Sequence, residues 1–75
     1  MMDLSARHPA VQELMGFFAF DHLPPHLQAV SKICYDAAYQ MLETVSDSAQ
    51  LREGLFDLLR AKDCFVRAAL IAKDT

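Results

Sequence analysis

The chain has 75 residues, room for one domain and little more, and chains this short seldom bury enough apolar surface to be comfortable alone. Its 53% hydrophobic content exceeds what a two-helix monomer covers, so the excess is expected to go into contacts between copies of the chain. A net charge of −3 and a pI near 5.4 exclude duplex nucleic acid as a partner, because gripping many phosphates takes a basic face; one or two placed cations still suffice for a small anion.

Residues 1–8 carry no period and are expected to be flexible, with Met1 to Arg7 as a free end. Pro9 suits the first turn of a short helix running to Met15, and Gly16 is placed to end it in a left-handed conformation. Val11, Leu14 and Met15 make one side of that helix apolar, and it is too short to stand without docking. Phe17, Phe18 and Phe20 then form an aromatic connector that reads as a lid on a core, and it ends at His22, Leu23, Pro24 and Pro25. Phe20, held next to the His22-proline turn, offers a ring face that suits a nucleobase.

Pro24 and Pro25 open a long helix over about Pro25 to Val45, where their missing N–H groups cost nothing. Leu27, Val30, Cys34, Ala37, Ala38, Met41, Leu42 and Val45 recur at three and four residues along it, and Gln28, Lys32, Tyr35 and Tyr39 border the stripe. Lys32 is placed to pair with Asp36 four residues on. Ser46, Asp47 and Ser48 break the pattern, and Asp47 with Gln50 has the form of a capping box for the next helix. Two helices of about 20 residues joined so briefly must lie antiparallel, which predicts an all-α fold: a helical hairpin over about 25–73 with a short N-terminal helix and arm, one domain over 1–75.

The second long helix, about Leu51 to Lys73, organises the rest. Leu51, Leu55, Leu58, Leu59, Phe65, Val66, Ala69 and Leu70 fall on one arc, with Lys62 in its middle and Phe56, Arg60, Asp63 and Arg67 along one edge. An ammonium in that position loses hydration unless partnered, so Lys62 is expected to meet an anion, whether a carboxylate of this chain, a carboxylate of a second copy or a ligand phosphate, or else to snorkel into water.

Cys34 and Cys64 lie in different helices without metal-ligand spacing, and His8, His22 and His26 lack partners for zinc; two free thiols and no metal or cofactor are expected. Two glycines rule out phosphate loops, and no nucleophile stands in a recognisable motif, so the chain reads as a binder, not an enzyme. With no apolar run beyond the seven residues Leu14 to Phe20, nothing anchors it in a membrane, and a cytoplasmic protein is expected. What remains are cations and aromatics bordering apolar faces: Phe20 and His22 in the arm, Lys32, Tyr35 and Tyr39 on one helix, Lys62 and Arg67 on the other.

Two segments, Phe20-Asp21-His22-Leu23-Pro24-Pro25-His26-Leu27-Gln28-Ala29-Val30-Ser31-Lys32 and Leu58-Leu59-Arg60-Ala61-Lys62-Asp63-Cys64-Phe65-Val66-Arg67-Ala68-Ala69-Leu70, resemble the helical-hairpin domain of phage-encoded sponges that counter CBASS and Thoeris immunity. The resemblance spans roughly Phe18 to Leu70 and rests on the His-Leu-Pro entrance with the later Ala-Lys-Asp and Val-Arg-Ala pattern. It implies a homo-oligomer built from dimers, often a hexamer, that holds cyclic dinucleotides in pockets between protomers without cutting them. Some relatives also hold cyclic trinucleotides or cyclic ADP-ribose-type signals. On the matching positions Phe20 would stack on a base, Lys32 and Lys62 would neutralise phosphate, and Arg67 would make a forked contact, with Tyr35 contending for the place of Lys32. Many relatives carry Tyr where Phe20 stands, and the motif leaves residues 1–17 unexplained. It would also place the protein in the host cytoplasm during infection. The second expectation, from a different class, is a structural helical-hairpin oligomerisation or regulatory subunit without a nucleotide ligand.

Overall fold

A computed structural model describes residues 4–74, with side chains through residue 72. The described residues form three helices and no strand: α1 (Pro9–Gly16), α2 (Pro25–Thr44) and α3 (Ala49–Asp74). The expected flexibility of residues 1–3 and the Lys73 end of the α3 stripe lie outside what is described.

Helix α1 starts on Pro9, and the His8 imidazole Nδ1 caps it by accepting from the Ala10 N–H at 3.0 Å. Its far end differs from the sequence expectation. Gly16 stays in the helix, Phe17 follows in right-handed geometry (φ −75°, ψ −12°), and no described residue has a positive φ. The tight bonds Phe17 N–H to Leu14 O (3.1 Å), Phe18 N–H to Met15 O (3.1 Å) and Ala19 N–H to Gly16 O (3.4 Å) use up the terminal carbonyls, so no left-handed residue is needed.

Helix α2 begins at Pro25 behind an extended Pro24 and ends where Val45 turns extended, its N–H on Met41 O at 2.8 Å. The buried face is Leu27, Ser31, Cys34, Ala38 and Leu42, narrower than the predicted stripe: Val30 and Ala37 are half-buried, Met41 and Val45 exposed. At the start of α3 the cap is Ser48, whose Oγ accepts from the Leu51 N–H at 3.0 Å. The predicted Asp47–Gln50 box does not form, because the Asp47 carboxylate is engaged elsewhere.

Residues 45–48 join α2 to α3, and the two helices pack through Cys34, Ala38 and Leu42 against Leu51 and Leu55, with Val11, Leu14, Met15 and Phe18 closing the cluster. Phe18 is fully enclosed and acts as the lid, burial that contributes roughly 1.5–3 kcal/mol, whereas its neighbour Phe17 is exposed. Of the apolar residues in the predicted α3 arc, Leu51 and Leu55 are buried; Leu58, Leu59, Val66 and Ala69 are half-buried, and Phe65 and Leu70 face water.

Two cations fasten α1 at its ends. Arg7 donates to Asp47 Oδ1 at 2.8 Å, to Val45 O at 3.1 Å and to Leu42 O, while the His8 N–H donates to Asp47 Oδ2 at 2.7 Å. A guanidinium on the last carbonyls of α2 sits where the helix dipole favours positive charge. The segment expected to be free is thus anchored from Arg7 onward. At the other end Lys62 reaches across from α3 to Phe17 O at 2.6 Å.

Candidate functional site

The turn Phe20 to Leu23 is closed by the Leu23 N–H on Phe20 O at 3.0 Å, and the Gln28 amide of α2 donates to Leu23 O at 2.7 Å and Asp21 O at 3.3 Å. That clamp sets the Phe20 ring edge-on to Tyr35, centroids 5.0 Å apart at 74°, and Tyr35 in turn meets Tyr39 at 4.6 Å and 41°. Tyr35 and Tyr39 are four residues apart and so share one side of α2. Burial pushes the Tyr39 phenol above its ordinary pKa, and its hydrogen bond with Tyr35 adds to the rise, so the hydroxyl stays protonated well past neutrality.

These three rings line a groove of about 570 Å³ between α1 and α2, with Met15 and Gln12 from α1 and Asp21 from the turn completing the wall. The volume falls in the range of about 300–1,000 Å³ usual for ligand clefts. A second hollow of about 670 Å³ lies between α1 and α3, lined by Glu13, Phe17, Arg52, Glu53, Phe56 and Leu59.

The expected site residues divide. Phe20 and Tyr35 come together, and His22 stands exposed in the same turn. Lys32 lies one turn before Tyr35 on α2, where it makes the anticipated pair with Asp36 at 2.7 Å and remains in water. Arg67 is exposed on α3. Lys62 is only 8% exposed, with its Nζ on the Phe17 carbonyl and 5.9 Å from the Phe18 ring centroid. Its partner is therefore neither a carboxylate nor bulk water. The open C-terminal end of α1 supplies a carbonyl carrying the negative end of the helix dipole, which satisfies an ammonium without an ion pair. Neither Lys62 nor Arg67 lines the groove.

Gln12 and Asp21 line it without having been singled out in the sequence; nothing in their spacing marks them, since α1 meets the turn only through the fold. No group of three His, Cys, Asp or Glu side chains suited to a metal occurs among the described residues. Both thiols are free: Cys34 is buried, which raises its pKa against the opposing influence of Lys62, and Cys64 is exposed. Chemically the groove offers flat apolar faces, a carboxylate and an amide, which suit holding a planar ring. No helix among the described residues is long and apolar enough to cross a membrane. Compared with models of protein families, with curated proteins and with solved structures, the chain matches none.

Proposed function

We propose that this chain is a phage immune-evasion protein that binds and sequesters cyclic oligonucleotide second messengers without cleaving them. In this reading α2 and α3 are the arms of an antiparallel hairpin, and protomers pair into a dimer-based oligomer, a hexamer as in the family it resembles, with ligand pockets between them. The observation that carries it is the Phe20–Tyr35–Tyr39 ring series opening on a groove beside the His-Leu-Pro turn. Base–aromatic stacking contributes about 1–3 kcal/mol per base, so such a series can hold a nucleotide. Because no cation lines the groove among the described residues, the phosphates must be met from its margins, by Lys32 one turn away and by Arg67 of a second copy. Lys62 contributes only where assembly draws it off the Phe17 carbonyl. Sequestration needs tight binding and no turnover, since holding the messenger below its effector's threshold is mass action.

Exposed apolar side chains on α3, among them Phe56 at 54%, Phe65 at 57% and Ile71 at 66%, support assembly. They equally favour the second reading, a helical oligomerisation module with no nucleotide. Absorbance and calorimetry separate the two. With two Tyr and no Trp, protein purified from messenger-producing cells should absorb mainly near 260 nm if it carries nucleotide. Cyclic dinucleotides, cyclic trinucleotides and cyclic ADP-ribose are then titrated into wild type, Phe20→Ala and Arg67→Ala. Loss of about tenfold or more in each variant, with ligand recovered intact by heating, is the expected result. An oligomer that binds none of them is the structural module; a linearised product would make the protein an enzyme.

A further inference from the structure

We infer that the groove selects guanine, with the Asp21 carboxylate accepting from N1–H and the N2 amino group of a base stacked on the neighbouring Phe20 ring. This deepens the nucleotide reading above and rests on it.

Asp21 is the one charged residue lining the groove among the described residues. It follows Phe20 directly, so the carboxylate and the stacking ring share one turn, and the Gln28 amide fixes that turn through the Asp21 and Leu23 carbonyls. The described ion pairs engage Asp36, Asp47 and Asp57, leaving the Asp21 carboxylate for a ligand. Across the groove, Gln12 donates one of its two amide N–H groups to Arg7 O at 2.8 Å and keeps the other, with its carbonyl oxygen, for a ligand.

An acceptor-only carboxylate beside an aromatic ring suits one base edge. Guanine presents two adjacent donors, N1–H and N2–H, that match the two oxygens of a carboxylate. Adenine and cytosine each set an acceptor nitrogen next to their amino group, which would face the carboxylate lone pair to lone pair. Uracil has a single N–H between two carbonyls. The same carboxylate repels phosphate, which keeps the backbone of a cyclic nucleotide at the groove margin, on the side of Lys32.

The test is calorimetry of the intact chain with cyclic dinucleotides of guanine, hypoxanthine and adenine, in wild type, Asp21→Asn and Phe20→Ala, with circular dichroism melts to confirm folding. Hypoxanthine keeps N1–H and lacks the N2 amino group. Wild type should bind in the order guanine, hypoxanthine, adenine, with at least about tenfold between first and last. Asp21→Asn should bring the three within about threefold of one another, and Phe20→Ala should weaken all three alike. Equal affinities in wild type overturn the guanine selection and leave the nucleotide reading standing. A preference that survives in Asp21→Asn removes Asp21 from the role; a wild type that binds none of the three overturns the guanine selection, and the nucleotide reading falls with it only if cyclic trinucleotides and cyclic ADP-ribose also fail to bind.

Discussion

The Lys62 ammonium and the Phe17 carbonyl, 45 residues apart in sequence, meet at 2.6 Å and join the middle of α3 to the end of α1. One bond here performs three tasks. It satisfies a carbonyl that α1 cannot use itself, it gives a nearly buried cation a partner, and it holds Phe18 over the core by fixing the residue before it.

Replacing Lys62 by Ala should therefore destabilise the protein, by about 1.5–3 kcal/mol for the charged hydrogen bond plus the packing lost with the stem. Lys62→Met keeps the stem and drops the ammonium's burial cost, so it should lose less than Lys62→Ala. Urea denaturation of the three proteins checks the order. Equal stability of all three would mean that the bond contributes nothing in solution.

At the other end of α1, Arg7 and Asp47 make the protein acid-sensitive in a defined direction. The Arg7 guanidinium, with the His8 N–H second, holds the Asp47 carboxyl below the ordinary carboxylate range. A group whose folded pKa is depressed stabilises the fold above its unfolded pKa and loses that contribution as pH falls through the folded one. The loss should begin near pH ~4 and continue below it. Asp47→Asn should flatten the denaturation midpoint against pH in that window, and Arg7→Ala should do the same. An unchanged slope in both would place the acid response in other carboxylates.

These two fastenings also mark where sequence reasoning stops. Lys62 is found from sequence because a cation inside an apolar period of three and four residues stands out. The Phe17 carbonyl is not, since every residue has one and only the fold chooses which is used. Phe20 and Tyr35 are each legible as border aromatics, yet their contact depends on the Gln28 clamp, which looks like any polar helix residue. Asp47 reads as a cap from its local spacing and is diverted by Arg7, a partner 40 positions away. Helix period is a local property and survives translation from sequence; pairing across the fold is not.

Thiol chemistry offers an independent check of the packing. Cys34 is buried with its pKa raised by desolvation, while Cys64 is exposed on α3. A water-soluble disulfide reagent at pH near neutral should modify one thiol per chain promptly and the second only on unfolding, and peptide mapping should assign the first to Cys64. Prompt modification of Cys34 would show that α2 and α3 part readily. Protection of both thiols at high protein concentration, relieved by dilution, would place Cys64 in an interface between copies.

The last prediction concerns Ser31, which is fully buried on the α2 face that packs in the protein interior, with its hydroxyl making no hydrogen bond among the described residues. A buried hydroxyl without a partner has given up its bonds to water for nothing, at roughly 1–3 kcal/mol. Alanine fits the same space without the polar atom and is the better helix former by up to about 0.7 kcal/mol. Ser31→Ala is therefore expected to match or exceed wild-type stability, which is unusual for a change at a site with no exposure, where most substitutions cost about 1 kcal/mol. Ser31→Val is the control: it also removes the hydroxyl but adds bulk to a packed seam, and overpacking of that kind costs about 1–3 kcal/mol. Thermal melts rank the three, with Ala at or above wild type and Val below it. A loss of about 1 kcal/mol in Ser31→Ala would show that the hydroxyl finds a partner in solution, with the carbonyl one turn back on α2 the nearest acceptor in the chain.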